Sequence, residues 1–349
     1  MPNTLHKKLA RQMNTTRRRR ISDKARSAIS DKARRRISDK ARRAISDKAR
    51  SAISDRIRSY TSSDVERDYA RLVEIGCLAK RKSARVLTGN KVVDKYTFGE
   101  RLRTRGNKGI SFYDLWSDRA RYADKPYVRN FLDFTRRAKP GIPAEKLWYE
   151  LSRFYFGSVQ IFKPLLAMEY YCRYNPRCVL DPTMGWGGRL VGACAIGVPK
   201  YIGIDLNARL RAPYGLLTRF LKSRPNMRTE IDLRFQDALT VDYGKLDYDM
   251  VLTSPPYYNL EIYDGGKTEL TKEEWDRDFY APLFSATYRN LKPGGYYVLN
   301  IPTEVYERVC VGVMGRRADR VFPLKKGTRQ PGKAPNNREN VYVWVRGIA

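Results

Sequence analysis

RCVLDPTMGWGGRLVGACAIG, residues 177–197, decides the fold of this 349-residue chain. A short apolar run ends in Asp181, a turn rich in glycine follows, and a run of small apolar residues comes after it. That order reads as strand, turn and helix. The same unit recurs on both sides. YIGIDL (201–206) is a second strand, ending in Asp205, and residues 207–223 fit a helix. IDLRFQDAL (231–239) is a third strand, ending at Asp237, and YDMVLTSPPYY (248–258) contains a fourth. A helix bearing Trp275, Phe279 and Leu283 precedes LKPGGYYVLNIP, where Gly294 and Gly295 turn the chain into a fifth strand. NVYVWVR (340–346) alternates like a half-buried strand. Strands separated by helices predict an α/β fold, an open and mostly parallel sheet with helices on both faces. Ligands of such sheets lie beyond the carboxyl ends of the strands, where Asp181, Asp205, Asp237 and Ser254 fall.

The glycine-rich turn lacks the GxxxxGK[ST] pattern of a phosphate loop, and the GxGxxG spacing is absent too. Glycines there let the backbone pass close to a ligand. Asp205 ends its strand where a carboxylate can accept both hydroxyls of a ribose; as a residue it serves equally as a cap before Asn207. Asp237 or its neighbouring backbone can meet an adenine amino group. These features suit a nucleoside without a polyphosphate.

Residues 158–302 resemble the S-adenosylmethionine-dependent amino-methyltransferases of nucleic acids. The resemblance rests on Asp181-Pro182-Thr183-Met184-Gly185-Trp186-Gly187-Gly188, on Gly203-Ile204-Asp205, on Ser254-Pro255-Pro256-Tyr257 and on Lys163-Pro164 ahead of a helix. It implies a Rossmann-like methyltransferase sheet with S-adenosyl-L-methionine as cofactor. The cofactor-binding residues implied are Lys163, Asp181, Thr183, Gly185, Trp186, Gly187, Asp205 and Asp237; the catalytic ones are Ser254, Pro255, Pro256 and Tyr257. Ser254 Oγ and a loop carbonyl, that of Pro255, would accept the two amino hydrogens of a base, and Tyr257 would stack on it. The serine favours cytosine-N4 of DNA over adenine-N6, whereas the motif order, with SPPY last, points the other way. An RNA base amino-methyltransferase and an inactive nucleic-acid-binding relative are the alternatives. Trp186 stands where the family has a small residue, which implies a differently shaped cofactor pocket.

The remaining sequence is basic. Lys and Arg total 69 against 37 Asp and Glu, a net charge of +32, which calls for a polyanionic partner: nucleic acid, DNA ahead of RNA, and not a membrane. ISDKAR recurs from Ile21, Ile29, Ile37 and Ile45 and degenerates to ISDRIR at Ile53. At 100° per residue each Ile falls about 80° round the helix from the last, so no constant apolar face forms. Residues 1–60 are therefore expected as a partly helical or disordered basic extension. Residues 61–150 are expected as a small, mainly helical basic subdomain, with short strands or loops after Gly89, and 151–349 as the catalytic domain. Within the middle segment Lys95, Tyr96, Arg101, Arg103, Arg105, Lys108, Phe112 and Tyr113 alternate basic with aromatic, a pattern suited to nucleic acid. Target selection would fall to residues 61–150, the loop 258–272 or the segment Arg316 to Arg338.

Five scattered cysteines without a CxxC pair, and a single histidine at His6, exclude a Cys/His zinc site and a histidine-dependent nucleophile. The odd cysteine count and the absence of an apolar leader or span point to a soluble protein of a reducing, intracellular compartment.

Overall fold

β1 (Cys178–Asp181) is buried at every position and lies in the interior of a seven-stranded sheet. The computed structural model describes residues 45–81, 87–106, 108–157, 159–225, 227–258, 261–262, 270–324 and 339–347. The other strands are β2 (Lys200–Asp205), β3 (Glu230–Phe235), β4 (Met250–Thr253), β5 (Tyr296–Pro302), β6 (Arg320–Pro323) and β7 (Glu339–Val345). Their order is β3-β2-β1-β4-β5-β7-β6. β3 through β5 are parallel; β7 runs antiparallel between β5 and β6. The chain builds one half of the sheet from β1 to β3, then crosses back to β4. The crevice at this reversal is where a ligand sits in such folds.

Alternate strand residues feed two cores. Val179, Met250, Leu252 and Val298 face one side; Leu180, Val251, Tyr297 and Leu299 face the other. Helices α1 (Asp47–Arg58), α2 (Ser62–Ile75), α3 (Asn90–Arg103), α4 (Pro126–Ala138), α5 (Ala144–Tyr155), α6 (Pro164–Tyr174), α7 (Gly188–Ile196), α8 (Arg211–Lys222) and α9 (Ala281–Arg289) frame the sheet. α2, α6, α7 and α8 and the start of α3 cover the first face, while α9 and residues 303–314 cover the second. A third core joins α1, α4 and α5 to Phe98 and Leu102 of α3.

Several expectations change here. The segment after Gly89 is the helix α3, not strands or loops. Val92, Val93, Thr97, Phe98 and Leu102 recur at helical spacing and are buried, and this outweighs the single Gly99. The last degenerate repeat packs instead of lying in solvent. ISDRIR places Ile53 and Ile57 one turn apart, and both are buried in the third core. Arg56 pairs with Glu145 at 2.7 Å. The copy from Ile45 runs into the same helix, while the three repeats before it lie outside the described residues, as do most of loop 258–272 and residues 325–338. β3 stops at Phe235, and Asp237 accepts from Leu239 N (2.9 Å) to cap a 3₁₀ turn. β6 has no counterpart in the sequence analysis, being four residues long and mostly exposed.

The basic and aromatic alternation of the middle segment is internal structure. Phe112 and Tyr113 are buried, Arg101 pairs with Asp94, and Arg103 pairs with Asp47. Cys77 and Cys172 form a disulfide between the turn after α2 and helix α6. Their separation of 95 residues left no local signal of the pairing. Among the described residues no helix is long and apolar enough to cross a membrane.

Candidate active site

The carboxyl ends of β1, β2 and β4 open onto a cavity of about 280 Å³. Of the expected residues, Thr183, Gly185, Trp186, Asp205 and Asp237 line one side, and Ser254 and Pro256 the other. Trp275, Asp278 and Phe279 complete the second side. Lys163, Asp181, Gly187, Pro255 and Tyr257 are not on the cavity wall.

Asp181 lies behind the cavity, fully buried. Its carboxylate accepts from Arg189 Nε (2.6 Å), Tyr201 OH (2.6 Å) and Thr253 Oγ1 (2.8 Å). Arg189 also donates to the carbonyl of Thr183, and Thr183 Oγ1 meets Thr253 Oγ1 at 2.6 Å. The acid therefore ties the turn to β2, β4 and α7. A buried ion pair this well bonded fixes geometry more than it adds stability.

The turn is held from the other directions by its own backbone. Met184 N donates to Ile204 O (2.8 Å), Tyr214 OH donates to Gly185 O (3.0 Å), and Thr97 Oγ1 donates to Trp186 O (3.1 Å). Gly187 caps α7 with φ +91° and has Leu217 against it. At Gly188 a Cβ would lie 1.7 Å from Phe162 O, so only glycine fits. Phe162 leads into Lys163, the N-cap of α6, with Pro164 at the first helical position. Burial holds the Lys163 ammonium below its ordinary range.

Asp205 accepts from Gly185 N (2.8 Å) on one carboxylate oxygen and from Asn207 N (2.9 Å) on the other. Desolvation pushes its carboxyl up to about 6, against the two amide donors, which favour the ionised form. Each oxygen keeps a lone pair beyond its amide. The carboxylate braces the turn into the following 3₁₀ segment, whose N-cap is Asn207, and both of its oxygens keep acceptor capacity.

On the second side the chain stiffens through Pro255 and Pro256. Tyr280 OH donates to Pro256 O (2.5 Å), so that carbonyl is already engaged. Tyr257 OH donates to Asn300 O (2.9 Å) and accepts from Asn300 Nδ2 (2.7 Å). Ser254 Oγ also accepts from Asn300 Nδ2 (3.1 Å) and lies 3.1 Å from Tyr257 OH. Because the tyrosine proton is committed to Asn300 O, Ser254 is the donor to Tyr257. Its own proton is then spent within the protein, and a lone pair remains for the cavity. Turning the Asn300 amide over changes nothing: Ser254 would donate to Oδ1 and still present lone pairs.

Sequence analysis missed Asn300, Trp275 and Phe279 as site residues. Asn300 left a signal, a polar residue inside the apolar run YYVLNIP, next to the strand that carries SPPY. Trp275 and Phe279 read only as helix spacing.

No protein-family model matches the chain, and no curated protein matches it. Solved structures overlap it in part. One is an rRNA methylase from Streptococcus thermophilus, 14% identical over 54% of this chain and 99% of that one, TM-score 0.35. TrmN from Thermus thermophilus is 18% identical over 52% of this chain, TM-score 0.31, and this chain spans only 48% of TrmN. The N-methyltransferase NodS from Bradyrhizobium japonicum is 11% identical over 50% of this chain and 87% of that one, TM-score 0.34. Function rests on the cavity rather than on these likenesses.

Proposed function

We propose that the protein transfers a methyl group from S-adenosylmethionine to the exocyclic amino group of a nucleic-acid base. The observation that carries this is the Ser254 hydroxyl, fixed as a hydrogen-bond acceptor in the same cavity as the Asp205 carboxylate. The cavity suits the cofactor in kind. It offers a two-oxygen acceptor for a ribose diol, a glycine turn that admits close approach, and apolar walls. When bound, S-adenosylmethionine supplies an electrophilic methyl group.

The chain's residues do the rest. Ionised Asp205 accepts the two ribose hydroxyls. Trp275 and Phe279 offer ring surface to the target base. Ser254 Oγ accepts one amino hydrogen, and a loop carbonyl takes the other: Pro256 lines the cavity, and its oxygen keeps a second lone pair beyond the Tyr280 hydroxyl. Both acceptors return electron density to a nitrogen otherwise delocalised into its ring. Tyr257 works through its hydroxyl, steadying Ser254, and not by stacking. No strong base is required, because the amino proton turns acidic only when nitrogen gains its fourth bond. A base in a duplex must leave the stack to reach this depth.

The net charge of +32 supports nucleic acid as substrate, and the serine favours cytosine-N4 of DNA by resemblance. The test is incubation with isotope-labelled cofactor and DNA or RNA, digestion to nucleosides and mass spectrometry. N4-methylcytosine from DNA is expected. Ser254→Ala should lower turnover by roughly 10²-fold or more, with cofactor affinity unchanged by calorimetry. Label in RNA alone would move the substrate to RNA. No labelled nucleoside, or undiminished turnover in the variant, overturns the proposal.

A further inference from the structure

α4 buries Val128, Leu132 and Thr135, and α5 buries Leu147, Trp148 and Leu151, and Tyr127, Phe131 and Tyr155 pack half-buried over that core. Tyr127, Phe131, Phe154 and Tyr155 form a connected cluster outside those stripes. Their centroids are 4.9 Å apart for Tyr127–Tyr155, 5.6 Å for Phe131–Phe154 and 4.9 Å for Phe154–Tyr155. Phe154 is 60% exposed, and Phe134 on the same helix as Phe131 is 67% exposed. An exposed ring continuous with half-buried ones on a strongly charged surface marks an interaction site.

The charges around the rings name the partner. Asp133 is neutralised by Arg136 and Glu150 by Lys139. Arg129 and Arg137 donate only to backbone carbonyls, and Arg153 lies over the Tyr149 ring; among the described residues none of these three meets a carboxylate. Unspent guanidinium charge beside exposed rings fits a polymer with phosphates and aromatic bases. A fully paired duplex hides its base faces, so the fitting form is single-stranded.

The cluster is also linked to the cavity through neighbouring segments. Lys108 Nζ donates to Tyr155 O, and Gly106 lies against Phe156 O, where a Cβ would come within 2.9 Å. Arg105–Gly106 in turn pairs antiparallel with Glu261–Ile262, on the loop that leaves Ser254-Pro-Pro-Tyr257. From Phe156 the chain runs on to Phe162, against Gly188 of the cofactor turn. The foot of the ring cluster therefore meets residues 105–108, which pair with the loop after Tyr257, and leads along the chain to Phe162 behind the glycine turn.

We propose that Tyr127, Phe131, Phe154 and Tyr155 form a stacking platform for unpaired nucleotides flanking the target base, with Arg129, Arg137 and Arg153 on the phosphates. This rests on the methyl-transfer reading for the identity of the substrate, and it adds that the substrate is held single-stranded beside the cavity. The test uses the full chain and fluorescence anisotropy with fluorescein-labelled oligothymidine and its abasic counterpart across a salt series. Phe154→Ala should weaken oligothymidine binding about tenfold, leave abasic binding unchanged, and keep the salt slope. Phe154→Trp should restore affinity. Arg129→Gln with Arg153→Gln should reduce the salt slope on both strands. Equal affinity of wild type and Phe154→Ala for oligothymidine overturns the platform, as does wild-type binding to the abasic strand as tight as to oligothymidine. Cofactor affinity, measured alongside by calorimetry, separates the two readings. A wild type that binds cofactor but shows no ring dependence loses only the platform. One with ring-dependent strand binding and no cofactor binding loses only methyl transfer.

Discussion

Around Gly185 and Asp205 the cavity wall is a glycine turn whose main chain is pinned by Ile204 O and by the side chains of Asp205, Tyr214 and Thr97, whereas around Ser254 it is side chains gathered from the loop after β4 and the segment before α9, steadied by Asn300 of β5. The backbone wall admits almost no substitution of size, because main chain cannot step aside. The side-chain wall is held by a few polar contacts, each replaceable at modest cost, and so it is where acceptor preference can vary. Under the proposed methyl transfer, a donor common to many reactions and an acceptor particular to one call for this division.

The sharpest way to break the comparison is at the backbone wall. Gly188→Ala places a methyl group into Phe162 O and should destabilise the fold by about 3 kcal/mol, read as a lowered midpoint in urea. A midpoint equal to wild type would show that this wall yields after all. Next comes the carboxylate. Asp205→Asn should weaken cofactor binding roughly 10- to 100-fold. The sign with pH follows from a carboxyl raised to about 6 from 3.8. Folding favours the neutral form relative to the unfolded chain, so this group's contribution to stability is full below 3.8 and is lost as pH rises from there through about 6. Cofactor, which needs the ionised form, should bind more tightly as pH rises through the same value. Calorimetry across that range should show this in wild type and not in Asp205→Asn. The smallest effect belongs to the side-chain wall. Asn300→Ala releases Ser254 and Tyr257 from their shared donor and should lower turnover about fivefold, with cofactor affinity unchanged. A loss in affinity instead would mean that the two walls are coupled.

The same division explains what could be read from the sequence. The strand-end acids and the glycines were legible because backbone walls demand particular residue types at particular places: Asp205 on its amides, Gly188 on Phe162 O. Asp181 was legible as a position, but its carboxylate faces inward to Arg189, and spacing alone cannot tell which way a strand-end acid points. Trp275, Phe279 and Asn300 come together only through the crossover of the sheet, so their spacing to Ser254 carries no local signal. The middle segment misled because basic and aromatic alternation looks alike whether the rings face solvent or, as with Phe112 and Tyr113, the core.

The antiparallel insertion of β7 between β5 and β6 has a consequence for biosynthesis. Until residues 339–345 leave the ribosome, the hydrogen-bonding edge of β5, seven residues long and buried at Tyr297 through Ile301 in the finished sheet, has no partner. Such an edge is a template for other chains. The nascent protein must therefore carry a sticky, half-built sheet while more than thirty residues of β6 and its connections are still being made (residues 303–338), and premature termination in that interval should yield aggregates rather than a smaller folded protein.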